Sequence, residues 1–152
     1  MTDEYFMQEA LYEAQKAYEL KEVPIGAIVV NQGVIIGRGY NRRNTDKDPF
    51  AHGEMMAIKE ASLAIGDWRL EECTLYVTLE PCPMCAGAIV QSRIPKVVIG
   101  APNFKSGSAG TIINILNVER FNHQVDTIYG VLEDECGELI KGFFKSLRKI
   151  EI

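Results

Sequence analysis

The sequence predicts a three-layer α/β/α sandwich with a central, five-stranded mixed sheet. Helical and β-rich patterns alternate along the 152 residues, and such alternation is typical of a sheet covered by helices on both faces. Near the N-terminus, two β-rich runs are separated only by Gln32-Gly33, a hairpin signal that adds an antiparallel pair to the sheet. No repeat or linker interrupts the pattern, so residues 1–152 are expected to form a single domain with its own core.

The first half of the chain contains a helix, the hairpin, a loop and a second helix. Apolar residues at helical spacing, preceded by acidic residues, predict an amphipathic helix over residues 4–21. The hairpin strands are expected at Ile25–Asn31 and Val34–Tyr40. The polar, turn-rich stretch Asn41–Pro49 predicts a loop. Helical spacing returns from His52 to Ile65, where a glycine follows and ends the helix.

The second half alternates strands with helices, and its last helix is strongly amphipathic. A loop over residues 102–110 separates two of these elements. The predicted elements are strands at Thr74–Leu79, Lys96–Ala101 and Val125–Tyr129, helices at Pro83–Gln91 and Ile112–Leu116, and a closing helix from Leu132 to Leu147.

Two short motifs carry the chemistry. The first places Glu54 two residues after His52, and the second is Pro81 followed by the C-x-x-C pair Cys82 and Cys85. One imidazole and two thiols supply three ligands for a tetrahedral Zn²⁺ and leave a fourth position for water, the arrangement of a catalytic zinc site. Such a metal activates water near neutral pH, and a neighbouring carboxylate can move its protons. This H-x-E…P-C-x-x-C pattern is typical of enzymes that deaminate nucleobases.

Other kinds of protein also use a C-x-x-C pair, notably redox enzymes and structural zinc sites. A structural site needs a fourth protein ligand, and the remaining cysteines, Cys73 and Cys136, lack the spacing for that role. A non-catalytic zinc module that binds nucleic acid or protein would not need the spare carboxylate of Glu54. We expect Glu80 to order the metal loop through hydrogen bonds rather than to act as a second base.

Composition and charge narrow the partners and the compartment. The formal net charge is −5 and the pI is about 5.1. Such an acidic protein is not expected to bind nucleic acid mainly through the phosphates, although a local basic patch can be enough for binding. Four cysteines, two of them assigned to metal, argue against a disulfide framework. The acidic N-terminus does not look like a signal peptide, and no apolar run has the length of a membrane span. We therefore expect a cytoplasmic protein.

Motifs along nearly the whole chain resemble the cytidine deaminase superfamily, and within it most closely the bacterial tRNA adenosine deaminases of the TadA type. The resemblance implies the deaminase α/β/α sandwich, a homodimer, and an Asn41 side chain that hydrogen-bonds the base beside Glu54. Besides the zinc motifs, the stretches that carry it are Glu22–Ala27, Asn41, Trp68–Leu70, Thr74–Leu79, Ser92–Pro95, Phe121–His123, residues 130–132, Cys136 and Phe143-Phe144.

The reaction expected from these motifs is hydrolytic deamination at the ring carbon that carries the exocyclic amine. Glu54 takes a proton from water, delivers it to the ring nitrogen and then helps to protonate the leaving ammonia. The backbone N–H of Cys82 is expected to stabilise the developing oxyanion. The expected substrate contacts are Asn41, Gly53, Pro81, Asn103 and Phe104.

Four features depart from the pattern of the tRNA enzymes, and two of them, Gly53 and Phe104, favour a smaller substrate. Gly53 stands where those enzymes have alanine, and the loop Asn103–Ser106 is similar to that of fungal cytosine deaminase, in which the phenylalanine lines the pocket. Phe50 replaces a small or polar residue. The long basic tail after the last helix is expected to be missing. The last helix still has a basic face, formed by Lys141, Lys145, Arg148 and Lys149.

A bulky ring at Phe104 would cap a planar base and narrow the channel that a polynucleotide must cross, and a closed apolar pocket suits a small ligand. The favoured substrate is therefore a small free base of cytosine type or an analogue. The alternative is a tRNA anticodon loop, whose wobble adenosine would become inosine, and Ser92-Arg93 and Phe121–His123 support it because they look like those of the RNA enzymes.

Overall fold

The computed structural model describes the backbone of residues 1–150 and the side chains of residues 1–148. The side chain of Lys149, expected on the basic face of the last helix, lies outside this part. The helices are α1 (Asp3–Glu19), α2 (Gly53–Ile65), α3 (Pro83–Gln91) and α4 (Glu133–Ile150), and the strands are β1 (Gly26–Asn31), β2 (Val34–Tyr40), β3 (Cys73–Leu79), β4 (Lys96–Ala101) and β5 (Asp126–Tyr129).

The strands form one mixed sheet, which has five members within the described residues, in the order β2-β1-β3-β4-β5. Strand β1 lies at the centre of its antiparallel half: Ile28 pairs with Arg38 of β2 on one side and with Tyr76 of β3 on the other. The β3–β4 and β4–β5 pairs are parallel. The predicted mixed sheet, led by a hairpin, is confirmed.

Two apolar clusters, one on each face of the sheet, produce the three layers. Helices α2 and α3 pack on one face, and α1 and α4 pack on the other. Because successive side chains of a strand point to opposite faces, Val29 of β1 contributes to the first cluster and Ile28 to the second. Both faces of the central strands are therefore apolar, as in sheets covered on both sides.

The helix predicted over Ile112–Leu116 is wrong: the structure has only a 3-10 turn at Ile115–Asn117. The backbone N–H of Thr111 is captured by the buried Glu80 carboxylate, and the N–H groups of Ile112 and Ile113 both turn back to the carbonyl of Gly107. The N–H of Gly110 also donates to the carbonyl of Ile113, and Ala109 pairs with Asn114 in an antiparallel bridge, so residues 109–114 close a tight turn in place of a first helical turn. Within residues 1–150, none of the helices has both the length and the apolar character needed to cross a membrane.

Candidate active site

The three predicted zinc ligands lie at the N-termini of two helices. His52 is the N-cap of α2 and Cys82 the N-cap of α3, and neither side chain caps its own helix. Cys85 lies in the first turn of α3, which Pro83 opens; proline is favoured there because the first turn needs no N–H donor. The positive ends of two helix dipoles thus meet beside the strand ends, where they favour thiolates and other anions.

The distances between the ligand atoms match a tetrahedral zinc site. Nδ1 of His52 lies 3.6 Å from Sγ of Cys82 and 3.5 Å from Sγ of Cys85. All three atoms lie within 4.8 Å of one another. Tetrahedral bonds of about 2.3 Å to sulfur and about 2.0 Å to nitrogen place those atoms about 3.6 Å apart. The residues therefore fit Zn²⁺ without rearrangement.

Hydrogen bonds within the cluster favour one thiolate, at Cys82, and keep the protons on the other two side chains. The pKa of the Cys82 thiol falls to about 4, because Cys85 and His52 hydrogen-bond to its sulfur and outweigh the effect of burial. The pKa of Cys85 is raised, since its S–H serves Cys82, and the pKa of His52 is raised by its hydrogen bond to Cys82. A thiolate thus forms readily at the centre of the site.

Glu54 lies beside this cluster in the first turn of α2, with 3% of its surface exposed. Burial raises the pKa of its carboxyl to about 7, and the nearby Cys82 sulfur adds to the effect. A carboxyl with a pKa near the working pH can both accept and release a proton during one reaction cycle. Glu54 therefore suits proton transfer.

An open pocket of about 620 Å³ lies over the cluster and is lined by His52, Glu54 and Cys82. Its walls come from three parts of the chain: the Asn41 loop (residues 41–49), the Phe104 loop (residues 102–111) and one face of α4. From these parts, the pocket is lined by Asn41 and Arg43, by Asn103, Phe104, Lys105 and Ser106, and by Ile140, Lys141, Phe144 and Arg148.

Asn41 is fixed at the pocket by its backbone and its side chain. Its N–H donates to the carbonyl of Ile25 at 3.0 Å, and its Nδ2 donates to the carbonyl of Val23 at 3.3 Å. Its Oδ1 accepts from the N–H of Arg43 at 3.2 Å. The amide is therefore held in one orientation, as a residue that orients a base requires.

Glu22 holds the rest of the Asn41 loop and was missed by the sequence analysis as a site residue. Its carboxylate is 1% exposed and accepts the N–H of Asn44 at 3.2 Å, the N–H of Thr45 at 2.6 Å and the Thr45 hydroxyl at 2.7 Å. A buried carboxylate needs such donors, because an unpaired charge is costly to bury. The sequence signals were an acidic residue four positions before the first residue of β1 and its place in the stretch Glu22–Ala27, which carries the family resemblance.

Glu80 holds the Phe104 loop in the same way. It is 2% exposed and accepts the N–H groups of Asn103 at 3.2 Å, Ala109 at 2.9 Å and Thr111 at 3.1 Å, together with the Thr111 hydroxyl. Every position around the carboxylate is therefore used by the loop. Glu80 thus orders a loop through hydrogen bonds, but this loop is the Phe104 loop and not the metal loop for which the role was expected.

Two expected substrate contacts have other partners. Oδ1 of Asn103 accepts from the N–H groups of Lys105 and Ser106, both at 3.1 Å, so this oxygen shapes the turn, although the residue lines the pocket. Pro81 is buried and does not line the pocket, because its carbonyl accepts the N–H of Ser108 at 2.9 Å and joins the metal loop to the Phe104 loop.

Four cations, Arg43, Lys105, Lys141 and Arg148, reach the pocket. Of these four, only Lys141 and Arg148 were expected on the basic face of the last helix. Phe144, whose ring lies 5.6 Å from Nζ of Lys105, was not expected at the pocket. Lys141 and Arg148 are seven residues apart and Phe144 lies between them. This spacing puts all three on one side of α4, and it was the signal that could have found them.

The features that favoured a closed, small-base pocket do not close it. A Cβ at Gly53 would point at the backbone of β2, 3.1 Å from the carbonyl oxygen of Gly39 and 3.2 Å from Cα of Tyr40, so the missing methyl group serves helix packing. Phe104 is 78% exposed and Phe50 is 63% exposed. Neither ring is folded over the His-Cys-Cys cluster, and the mouth of the pocket stays open.

Comparison with known proteins identifies the family. The model of the MafB19-like deaminase family matches residues 1–148. The chain is 57% identical over 147 residues to a tRNA-specific adenosine deaminase of Bacillus subtilis, covering 97% of this chain and 91% of that protein. It is 49% identical over 148 residues to the enzyme of the same name from Aquifex aeolicus, covering 97% of each.

The fold has a matching solved structure, from a study of A-to-I editing by tRNA:A34 deaminases at the wobble position of transfer RNA. The TM-score is 0.85 at 41% identity, covering 89% of this chain and 98% of the other. The expectation of a free cytosine-type substrate is wrong, because relatives at 48% to 57% identity are tRNA-specific adenosine deaminases and because Gly53 and Phe104 do not enclose the pocket. The resemblance to the cytidine deaminase superfamily is confirmed, and the chain belongs to the MafB19-like deaminase family and is a deaminase.

Proposed function

We propose that this enzyme is a tRNA adenosine deaminase that converts the wobble adenosine of an anticodon loop to inosine. The observation that carries the proposal is its identity of 48% to 57%, over at least 95% of the chain, to tRNA-specific adenosine deaminases. The open pocket, which leaves Phe104 exposed, and the cations at its mouth support a substrate larger than a free base.

The proposed reaction replaces the amine at C6 of adenine with oxygen from water and releases ammonia. His52, Cys82 and Cys85 hold Zn²⁺, which supplies Lewis-acid activation of water when bound. Glu54 takes a proton from the water, passes it to the ring nitrogen next to C6, and returns a proton to the departing amine. Its pKa of about 7 lets it carry a proton in both directions at neutral pH.

The pocket walls have separate tasks in this proposal. Asn41 and the backbone of Gly53 orient the base, while the N–H of Cys82 stabilises the oxyanion. The phosphates on either side of the adenosine are bound by the basic mouth residues, of which Arg43 and Lys105 lie on opposite loops. A local cluster of this kind can bind RNA even though the chain as a whole carries a net charge of −5.

We also propose that the enzyme is a cytoplasmic homodimer, built from one domain per chain, with α3 in the interface. Helix α3 is apolar, yet Met84 and Ala88 on its outer side are only half-buried, and Gly87 between them has open space around it. A second α3 could approach closely there. Light scattering at micromolar concentration tests this assembly, and a monomer contradicts it.

The substrate is tested by incubating one preparation with an anticodon stem-loop carrying a wobble adenosine and, separately, with free cytosine and free adenine. Inosine should form in the stem-loop, and the free bases should release no ammonia. Removing zinc with a chelator should abolish the activity, and adding zinc back should restore it. Ammonia from free cytosine without inosine in the RNA would contradict the proposal.

A further inference from the structure

Phe104 is the most exposed large apolar side chain at the pocket, at 78%. In the function proposed above, the target adenine lies beside Asn41 and Glu54, deep in the pocket, and Phe104 has no assigned role. We propose that Phe104 forms a second base subsite, on which the base of a nucleotide adjacent to the target adenosine stacks. This inference rests on the proposed function and deepens it.

The ring is presented by a turn that is fixed before any ligand binds. Asn103 accepts the N–H groups of Lys105 and Ser106, and its own N–H is held by Glu80 at 3.2 Å. Its carbonyl accepts the N–H of Gly107 at 2.9 Å. Phe104 therefore stands at the tip of a turn that is bonded on both sides. A preorganised aromatic group binds at a smaller entropic cost than a mobile one.

The cations that line the same pocket as Phe104 indicate what covers its ring. Lys105 follows Phe104 directly and lies 5.6 Å from the ring of Phe144, and Arg148 lies on the next turn of α4. An aromatic face beside cations is how proteins bind single-stranded nucleic acid: the cations contact phosphates while bases stack on the rings. A flanking nucleotide offers both groups together, and it is joined covalently to the target that enters the pocket.

A flanking base as the stacking partner also explains why the Phe104 ring is exposed at the pocket and not buried against its wall. A side chain that capped the target base would be largely buried against the pocket wall, whereas 78% of Phe104 is accessible. Stacking on a base is tolerant of sequence because every base has a π-face. Phe104 is therefore expected to strengthen RNA binding and to influence which neighbours of the adenosine are accepted.

The test combines one substitution with three RNAs: the intact anticodon stem-loop and two versions that lack the base immediately 5′ or 3′ of the target adenosine. With the intact RNA, Phe104→Ala should lower kcat/KM by about 5- to 150-fold, the effect of losing one stacked base, mainly through KM. On one of the two abasic RNAs the substitution should have no further effect, because the stacking partner is already gone. Phe104→Trp should restore activity.

Phe50→Ala provides the matched control, since Phe50 is also exposed, at 63%, but does not line the pocket; it should leave kcat/KM unchanged. An equal loss from Phe104→Ala on all three RNAs, no loss on any of them, or a change in oligomeric state would overturn the subsite while inosine formation still supports the proposed function. If the wild-type enzyme forms no inosine in the intact RNA, the proposed function fails, and the subsite fails with it.

Discussion

Replacing Glu80 with glutamine removes the charge at the centre of the Phe104 loop while keeping the size of the side chain. The carboxylate accepts from Asn103 and the Thr111 hydroxyl on Oε1, and from the N–H groups of Ala109 and Thr111 on Oε2. Glutamine keeps one acceptor oxygen and introduces an NH₂ donor. The amide fits best with its oxygen toward Ala109 and Thr111, where two N–H groups require an acceptor.

In that orientation the NH₂ group of the glutamine faces the Thr111 hydroxyl and the N–H of Asn103. The hydroxyl can rotate and accept a hydrogen bond from it, whereas the N–H of Asn103 is a donor and cannot. One N–H near the surface of the loop is thus left without its partner, at a cost of about 1–3 kcal/mol, and the remaining bonds weaken because they lose a charged acceptor. We expect Glu80→Gln to lower the free energy of unfolding by about 3 kcal/mol in total. For a domain of this size, that corresponds to a fall in Tm of about 6–12 °C.

The effect should depend on pH in a defined direction. Burial acts to raise the pKa of Glu80, but the hydrogen bonds from Thr111, Asn103 and Ala109 outweigh it and hold the pKa below its ordinary value of 4.5. A depressed pKa means that the carboxylate stabilises the fold fully above that ordinary value and that the stabilisation is lost as the pH falls through the folded-state pKa. Denaturant unfolding of both proteins should give a constant difference from pH 8 to pH 6 and a smaller one below pH 4.5. A variant as stable as the wild type at pH 7 would refute this account of the loop.

Three further outcomes are expected. Glu54→Gln should retain zinc and the fold, as metal analysis and circular dichroism would show. Its turnover should fall by about 10⁴-fold or more, because one group performs several proton transfers. Activity within tenfold of the wild type would exclude this role of Glu54. Glu22→Gln should raise KM for the stem-loop, since Arg43 on the same loop loses its fixed position. In an Arg43→Ala background, Glu22→Gln should have no further effect on KM. Additive effects of the two substitutions would show that Glu22 does not act through Arg43. With three or four phosphates bound, kcat/KM should fall by about 20- to 50-fold between 50 and 200 mM salt. Arg148→Ala should reduce that salt dependence. A kcat/KM that does not change with salt would contradict phosphate binding by the cations at the pocket mouth.

The elements and the metal cluster could be predicted because they depend on local pattern. The spacing of His52, Cys82 and Cys85 defines a ligand set, and the N-terminal turns of two helices bring the ligands together in a sandwich of this kind. The failed helix at Ile112–Leu116 shows the limit of local pattern. There, Glu80, about 30 positions earlier in the chain, fixes the N–H groups of Ala109 and Thr111 in a turn that the antiparallel pairing of Ala109 with Asn114 closes.

The substrate could not be predicted in the same way, because the direction in which a side chain points decides its effect on a pocket. Gly53 was taken as a sign of a small-base pocket, but its missing Cβ faces the backbone of Gly39. Phe104 was taken as a cap, but the turn that Asn103 and Glu80 build carries the ring outward. Both residues were identified as part of the pocket, and both directions follow from partners distant in sequence.

The same long-range carboxylates explain how an acidic protein can present a basic mouth. Glu22 and Glu80 are buried, and their carboxylates accept hydrogen bonds from N–H and hydroxyl donors of the two loops. Glu80 lines the pocket as Arg43 and Lys105 do, but its carboxylate is held by the loop donors, whereas the two cations, carried by those loops, are exposed. A low-dielectric interior and close hydrogen bonding keep each negative charge local, whereas the cations project into the space where a phosphate would lie. The net charge of −5 consequently gives no measure of the field that an RNA meets at this site.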